Sequence, residues 1–233
     1  TSAGLASFTY ESVKDRLLNG LNVPEKKVNT MMSNFAFIKT NQNVIAHIKY
    51  ILEKVSFLFD SYEFSETSYD IIGNFYNEFL KYTGGDKQGL GIVLTPKHIT
   101  DLFCQLGEIN ANSVVLDTCT GTGAFLISAM KYMIDMANGD KTKIDRIKEK
   151  QLIGIEQNTQ MFTLTCSNMI LRHDGKSNMF NGSCFDPVIH AQIKKLKPNV
   201  CLINPPYSQK DNNESELSFI FNALNLLEQN GKL

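Results

Sequence analysis

The feature that most constrains the fold is the alternation of short apolar runs with longer amphipathic segments after Asn110. Each run ends at a polar residue and is too short for a helix, whereas the segments between them repeat apolar residues every three or four positions. This alternation predicts a doubly wound parallel sheet. Strands are predicted at residues 113–117, 152–156, 178–181 and 200–203, and helices at 124–136, 159–171 and 216–227.

The chain before this alternation has a different pattern. Apolar residues recur at helical spacing in residues 44–59 and again in residues 71–80, and a glycine-rich turn follows at residues 83–89. We therefore predict an all-α domain over residues 1–88 and a sheet domain over residues 89–233. The sheet domain holds about four strands, and residues 230–233 are predicted to turn into a fifth.

Composition limits the class of protein. The 233 residues are 42% hydrophobic and 20% charged, with a net charge of −1 and no apolar run near the roughly 20 residues that cross a bilayer. We expect a soluble, non-secreted protein without a membrane partner. The five cysteines form no Cys-x-x-Cys pair and the four histidines show no ligand spacing, so we expect no metal site.

The first predicted strand leads into a glycine-containing loop with the sequence Asp117-Thr-Cys-Thr-Gly121-Thr-Gly123. Open α/β sheets bind ligands at the carboxyl ends of their strands, and the two glycines allow a ligand to approach the backbone. The Gly-x-Gly-x-x-Gly dinucleotide pattern and the Gly-Lys-Ser/Thr phosphate loop are both absent. An acidic loop without a phosphate-neutralising lysine or arginine better suits a cationic, phosphate-free adenosine derivative such as S-adenosylmethionine.

Polar residues follow the next two strands. Glu156 ends the second, where an acid can accept hydrogen bonds from both ribose hydroxyls. The segment Asn181-Gly-Ser183 follows the third and is predicted to lie at the same edge of the sheet. Upstream, Thr95-Pro96 is predicted to be a helix N-cap with proline at the first helical position.

The fourth strand ends in Asn204-Pro205-Pro206-Tyr207. Prolines lack an N–H and restrict the residue before them, so this loop presents acceptors in a nearly fixed geometry beside an aromatic ring. Such a loop suits a planar ligand with an NH2 group, as expected for a base flipped out of a duplex. An ordinary strand-to-loop turn is the other interpretation of these four residues by themselves.

Together these motifs resemble the amino-group DNA methyltransferases that modify adenine N6. Asp-x-x-x-Gly-x-Gly, Gly-x-Glu, Asn-Gly-Ser and Asn-Pro-Pro-Tyr occur in that order, each at a predicted strand end, and Gly-x-x-Leu-Thr-Pro precedes them as in the gamma arrangement. The helical leader with residues 70–80 is similar to the modification subunit of type I restriction-modification systems, or to the matching part of fused restriction-methylation enzymes. The resemblance covers about residues 65–233.

The resemblance implies a Rossmann-like, S-adenosylmethionine-dependent sheet and a site-specific DNA-methyltransferase acting on a flipped adenine. Its partners would be double-stranded DNA, a specificity subunit and a restriction subunit, in a bacterial or archaeal cytoplasm. Asn204 and the Pro205 carbonyl would hold the N6 hydrogens and Tyr207 would stack on the base, so that the catalytic set is Asn204, Pro205, Pro206 and Tyr207. The implied cofactor-binding set is Thr95, Pro96, Asp117, Thr120, Gly121, Gly123, Glu156, Ser183 and Asn204.

Two other functions fit the same residues. Asn-Pro-Pro-Tyr also occurs in methyltransferases that act on a glutamine side chain or on RNA, and a non-catalytic scaffold subunit would keep the same fold. The chain departs from the family pattern at Leu94, Thr118, Thr120 and Ser183, none of which removes a group that the chemistry requires. We expect residues 1–233 alone to be weakly active or inert, because DNA recognition would depend on further segments or subunits.

Overall fold

The computed structural model describes residues 1–60, 95–206 and 215–233. The predicted boundary at residue 88, the helical pattern at residues 71–80 and Tyr207 lie outside these residues. Within the described part of the chain, no helix is long and apolar enough to cross a membrane.

The N-terminal part is helical, as predicted. It contains α1 (Ser2–Asp15), a π-helical turn (Arg16–Gly20), α2 (Glu25–Asn34), α3 (Phe37–Thr40) and α4 (Gln42–Asp60). Leu17, Val23, Val28 and Met32 form a small core of their own, and Ile170 from the sheet domain packs against it. The helical part is therefore joined to the sheet domain through apolar contact.

The second part of the described chain is an alternating α/β unit. Its elements are α5 (Lys97–Leu106), β1 (Val115–Asp117), α6 (Ala124–Met136), α7 (Lys141–Lys150), β2 (Leu152–Glu156), α8 (Thr159–Ile170), β3 (Asn178–Asn181), α9 (Pro187–Leu196), β4 (Val200–Cys201) and α10 (Glu216–Leu226). The strands form one parallel sheet in the order β3-β2-β1-β4.

Successive strand residues face opposite sides of this sheet. Val115 and Val200 belong to a core shared with α6, α7 and α8, whereas Leu116 and Cys201 belong to a second core shared with α9 and α10. This alternation is the consequence of the two-residue period of a strand covered on both faces. The predicted doubly wound sheet is confirmed.

Strand order reverses beside β1. The chain proceeds outward from β1 to β2 and β3 and then returns to place β4 on the other side of β1. In such sheets the crevice at the carboxyl ends of the two strands flanking the reversal is the usual ligand site. Here those ends are Asp117 and the segment that leads to Asn204.

Most predicted elements match the structure within a few residues, and the main differences concern α9, β4 and the expected fifth strand. The helix α9 was not predicted, although Asp186 caps it by accepting a hydrogen bond from the Val188 N–H (2.7 Å) and Pro187 occupies its first turn. Strand β4 ends at Cys201, two residues earlier than predicted, although the Leu202 N–H still donates to the Leu116 carbonyl (2.9 Å). The expected fifth strand is represented by one parallel bridge between Lys232 and Val200.

The prediction that Thr95 caps a helix starting at Pro96 is wrong by one residue. Helix α5 starts at Lys97, Pro96 is the N-cap with extended ψ, and no side chain caps the helix. The Thr95 hydroxyl instead accepts a hydrogen bond from the Asn204 amide, as described below, and this bond replaces a cap on the helix.

Candidate active site

A pocket lies at the point where the strand order reverses. Its wall comes from the segment before α5, the loop after β1, the start of α6 and the residue that follows β4. The lining residues are Thr95, Asp117, Cys119, Thr120, Gly121, Thr122, Ala124, Phe125 and Asn204. None of these described lining residues is a lysine or an arginine, so the electrostatic character of the pocket comes from its acid.

Asp117 is the charged group of the pocket. It is 1% exposed, and its Oδ1 accepts a hydrogen bond from the Cys119 N–H (2.9 Å), whereas Oδ2 is buried without a hydrogen-bond partner. Burial first, with the nearby Glu156 carboxylate also contributing, raises the pKa of Asp117 to about 7. A buried carboxylate oxygen without a partner is costly, and a cationic ligand with an N–H donor would relieve that cost.

Hydrogen bonds to β2 hold the glycine loop. Thr120 donates from its N–H (3.0 Å) and from its hydroxyl (2.8 Å) to the Ile155 carbonyl. The Gly121 N–H donates to Glu156 Oε2 (2.8 Å). The loop therefore has a defined position relative to the sheet.

The two loop glycines serve different purposes. Gly121 has a φ of +57°, and a Cβ placed there would meet no atom within 4 Å. Gly123 has a φ of +91°, and its Cβ would lie 3.2 Å from Thr165 Cγ2. Gly121 thus leaves open space for a ligand, whereas Gly123 allows α6 to start close to α8.

Glu156 is fixed at the end of β2. Its Oε1 accepts a hydrogen bond from the Asn158 N–H (2.7 Å), and its Oε2 accepts the Gly121 N–H. Burial raises the pKa of the Glu156 carboxyl, and the bonds from the Asn158 and Gly121 N–H groups oppose that rise. Both oxygens are oriented by the backbone, and a carboxylate still has lone pairs for a ligand's hydroxyl groups.

Asn204 is oriented by Thr95. Its amide nitrogen donates to Thr95 Oγ1 (3.1 Å) across 109 positions of sequence, so its amide oxygen remains as the acceptor on the other arm of the group. The upstream Thr-Pro segment and the Asn-Pro-Pro segment, which were predicted to contribute to one site, are thus in direct contact.

The remaining predicted residues lie around this centre. Pro96 is exposed at the start of α5, Pro205 is half-buried and Pro206 is exposed. Ser183 lies in the loop after β3, where its hydroxyl accepts the Phe185 N–H (3.2 Å), and it is not among the described lining residues. Tyr207 is outside the described residues.

Four lining residues were not predicted: Cys119, Thr122, Ala124 and Phe125. They lie next to the predicted glycines in sequence, and this proximity is the signal that could have identified them. A hydrogen bond with Cys184, with burial as the next cause, raises the pKa of the Cys119 thiol above its ordinary value. Cys119 is therefore a neutral thiol at neutral pH, which makes it a poor nucleophile.

Comparison with known proteins decides the family. The family model described as N-6 DNA Methylase matches residues 67–232. The chain belongs to this family. The predicted family is thereby confirmed.

Two curated relatives illustrate the N-6 DNA methylase assignment. The chain is 43% identical, over 96% of its length, to the type II restriction enzyme and methyltransferase RM.BcgI of Heyndrickxia coagulans. It is 31% identical, over 72% of its length, to the type I restriction enzyme MjaVII methylase subunit of Methanocaldococcus jannaschii. The chain spans 37% and 27% of the length of these two relatives.

A solved structure similar to this chain is the M protein of the type I restriction enzyme EcoKI. It matches 62% of this chain with a TM-score of 0.52 and 21% sequence identity, and the match covers 33% of that protein. At this identity the match concerns the fold, and it confirms the predicted methyltransferase sheet. The roles of individual site residues stay predictions.

Proposed function

We propose that this chain contains the cofactor-binding and catalytic core of an S-adenosylmethionine-dependent methyltransferase that modifies N6 of adenine in DNA. The observation that supports this most is the contact of Asn204 with Thr95 in the same pocket as Asp117 and Gly121. An amide acceptor for an exocyclic amine and an acidic, glycine-lined cavity are thereby adjacent.

The pocket fits the proposed cofactor. The partnerless Asp117 Oδ2 offers an acceptor to a cation, the space beside Gly121 admits a ligand, and Glu156 is oriented to receive ribose hydroxyls. When bound, S-adenosylmethionine supplies an activated methyl group. Asp117, Gly121 and Glu156 are the residues that would hold it.

The chain's own residues would act on the target base. Asn204 Oδ1 and the Pro205 carbonyl accept the two hydrogens of the adenine amino group, which draws the nitrogen lone pair out of conjugation with the ring. Thr95 keeps the Asn204 amide in the required orientation by accepting from its nitrogen. Positioning of this kind accelerates a reaction without a covalent enzyme intermediate. By the sequence resemblance, Tyr207 would stack on the base.

Partners are proposed from the relatives. RM.BcgI is named as both restriction enzyme and methyltransferase, and the MjaVII relative is named as a methylase subunit. We propose that the full protein works in a restriction-modification system on double-stranded DNA. A specificity component and a restriction component would belong to the same chain or to separate subunits.

The experiment offers duplex DNA, RNA and protein to the full-length protein with isotopically labelled S-adenosylmethionine. Nucleoside mass spectrometry should find the label in N6-methyladenine, and label in RNA or protein alone would overturn the proposal. Asn204→Ala should reduce transfer by about a hundredfold or more, as expected for loss of a group that acts in the transition state. The matched control Asn112→Ala changes an exposed asparagine on a distant turn and should leave the rate unchanged.

A further inference from the structure

Helix α8 holds the carbonyl oxygens of the glycine loop. The Thr165 hydroxyl donates a hydrogen bond to the Gly121 carbonyl, and the Asn168 amide nitrogen donates to the Thr122 carbonyl (2.9 Å). Both side chains are buried, so these carbonyls have protein donors in place of water. The loop is thus held from β2 through its N–H groups and from α8 through its carbonyl groups.

The orientation of Asn168 is set by a buried arginine. Arg172 Nη1 donates to Asn168 O (2.7 Å) and to Asn168 Oδ1 (3.1 Å), and Arg172 is 1% exposed. With Oδ1 directed to the guanidinium, the amide presents Nδ2 to the loop. Because arginine stays protonated at all ordinary pH values, this orientation does not depend on pH.

Thr165 has two separable contacts. Its hydroxyl holds the Gly121 carbonyl, whereas its methyl group faces Gly123, where an added Cβ would lie 3.2 Å from Cγ2. A valine at this position would keep the shape and lose the hydrogen bond, and a serine would keep the hydrogen bond and lose the methyl group. Comparison of the valine and serine variants therefore separates the effect of the hydrogen bond from the effect of methyl-group packing.

The helix α8 is itself anchored on its other side. Asn34 of α2 donates to Thr163 Oγ1 (2.7 Å) and to the Thr159 carbonyl (3.2 Å). The N-terminal helices thus fix the element that fixes the loop. A loop that is ordered before binding loses less conformational entropy when a ligand arrives.

From this geometry we propose that Thr165 and Asn168 are positioning residues for cofactor binding. They act through the backbone of residues 121–122 and do not touch the ligand. The inference rests on the proposed function, since it assumes that the loop binds S-adenosylmethionine. Its expected effect is on cofactor affinity, because the loop is held in its binding conformation before the cofactor arrives.

The test measures S-adenosylmethionine binding to the full-length protein by calorimetry. Thr165→Val leaves the Gly121 carbonyl without its donor and should weaken binding about tenfold. Thr165→Ser should remain within about threefold of the wild type by restoring the donor. The control Ser167→Ala removes a hydroxyl from the same helix that donates within the helix to the Thr163 carbonyl, and it should not change the affinity.

A second variant addresses Asn168. Asn168→Asp keeps an acceptor for Arg172 and removes the donor to the Thr122 carbonyl, so amide hydrogen exchange in residues 119–124 should become faster and cofactor binding weaker. If the wild type binds and both Thr165→Val and Asn168→Asp bind as tightly, this inference is wrong and the proposed function stands. If Thr165→Ser binds as weakly as Thr165→Val, the hydroxyl is not responsible. If the wild type does not bind S-adenosylmethionine, both proposals fail.

Discussion

Replacing Asp117 with asparagine should make the protein more stable at alkaline pH while removing its affinity for S-adenosylmethionine. The carboxyl is 1% exposed, one of its oxygens has no partner, and its pKa is raised to about 7, mainly by burial. A buried carboxylate with a partnerless oxygen destabilises the fold, so stability alone does not explain an acid at this position. The substitution keeps the size of the side chain and the acceptor for the Cys119 N–H, and it removes the charge.

The magnitude follows from the two pKa values. A carboxyl with an ordinary pKa of 3.8 when unfolded and about 7 when folded binds protons more strongly in the folded state. The free energy of unfolding therefore falls as pH rises from about 4 to 7, by on the order of 4 kcal/mol in total at about 1.4 kcal/mol per pH unit. Between pH 5 and pH 8 about 3 kcal/mol of this loss should be seen.

Urea unfolding of wild type and Asp117→Asn at pH 5 and pH 8, followed by circular dichroism, measures this difference. Asp174, whose pKa burial also raises to about 7, is present in both proteins and cancels in the comparison. The control Asp135→Asn changes an exposed acid paired with Lys131 on α6 and keeps the Asp117 carboxyl, so it should retain the pH dependence of the wild type. A stability difference between wild type and Asp117→Asn that is the same at both pH values would refute the reasoning.

Three further predictions concern the same pocket. Burial raises the pKa of Asp117 to about 7, and a cationic ligand should bind its ionised form. The affinity for S-adenosylmethionine should therefore fall by up to about tenfold per pH unit below pH 7. Calorimetry in buffers of different ionisation enthalpy should detect the proton that Asp117 releases on binding. Gly121→Ala should cost about 1–2 kcal/mol of folding stability because the backbone is left-handed there, and it should block cofactor binding because its Cβ would occupy the open space left for the ligand. Gly154→Ala should instead impair folding, because its Cβ would lie 2.8 Å from Thr120 Oγ1 and Met179 Sδ. Thermal unfolding with and without cofactor distinguishes these two effects. Thr95→Val should lower the methylation rate about tenfold, because the Asn204 amide loses the acceptor that orients it, whereas Thr95→Ser keeps that acceptor and should keep the rate. Equal rates for the valine and serine variants in single-turnover kinetics would exclude this orienting role.

Local patterns were sufficient for most of the sheet domain. Strands β2 and β3 and helix α6 have the predicted bounds, because a buried strand and an amphipathic helix each show their period within a few residues. Helix α9 has a local signal as well, since Asp186-Pro187 followed by Ile189 and Ile193 is a helix-start pattern.

The sequence predicted several individual residues of the site, but it did not predict the hydrogen bonds between distant segments. The motifs located Asp117, Gly121 and Asn204 because an acid, a glycine and an amide at strand ends have few structural reasons to be there. Thr165 and Asn168 are ordinary residues of a helix by sequence. Their hydrogen bonds to the glycine loop depend on how α8 packs across β2 and on the approach that Gly123 permits.

The sequence by itself determined the alternation of strands and helices along the chain, the family and the chemical groups available at the strand ends, since each depends on residues close together in the chain. Only the tertiary structure decided that Thr95 bonds Asn204 in place of capping a helix, that one oxygen of Asp117 is left without a partner, and that α8 holds the loop. The reason is physical: a hydrogen bond between distant segments forms only where packing has excluded water and set the distance, and neither condition is contained in the local pattern.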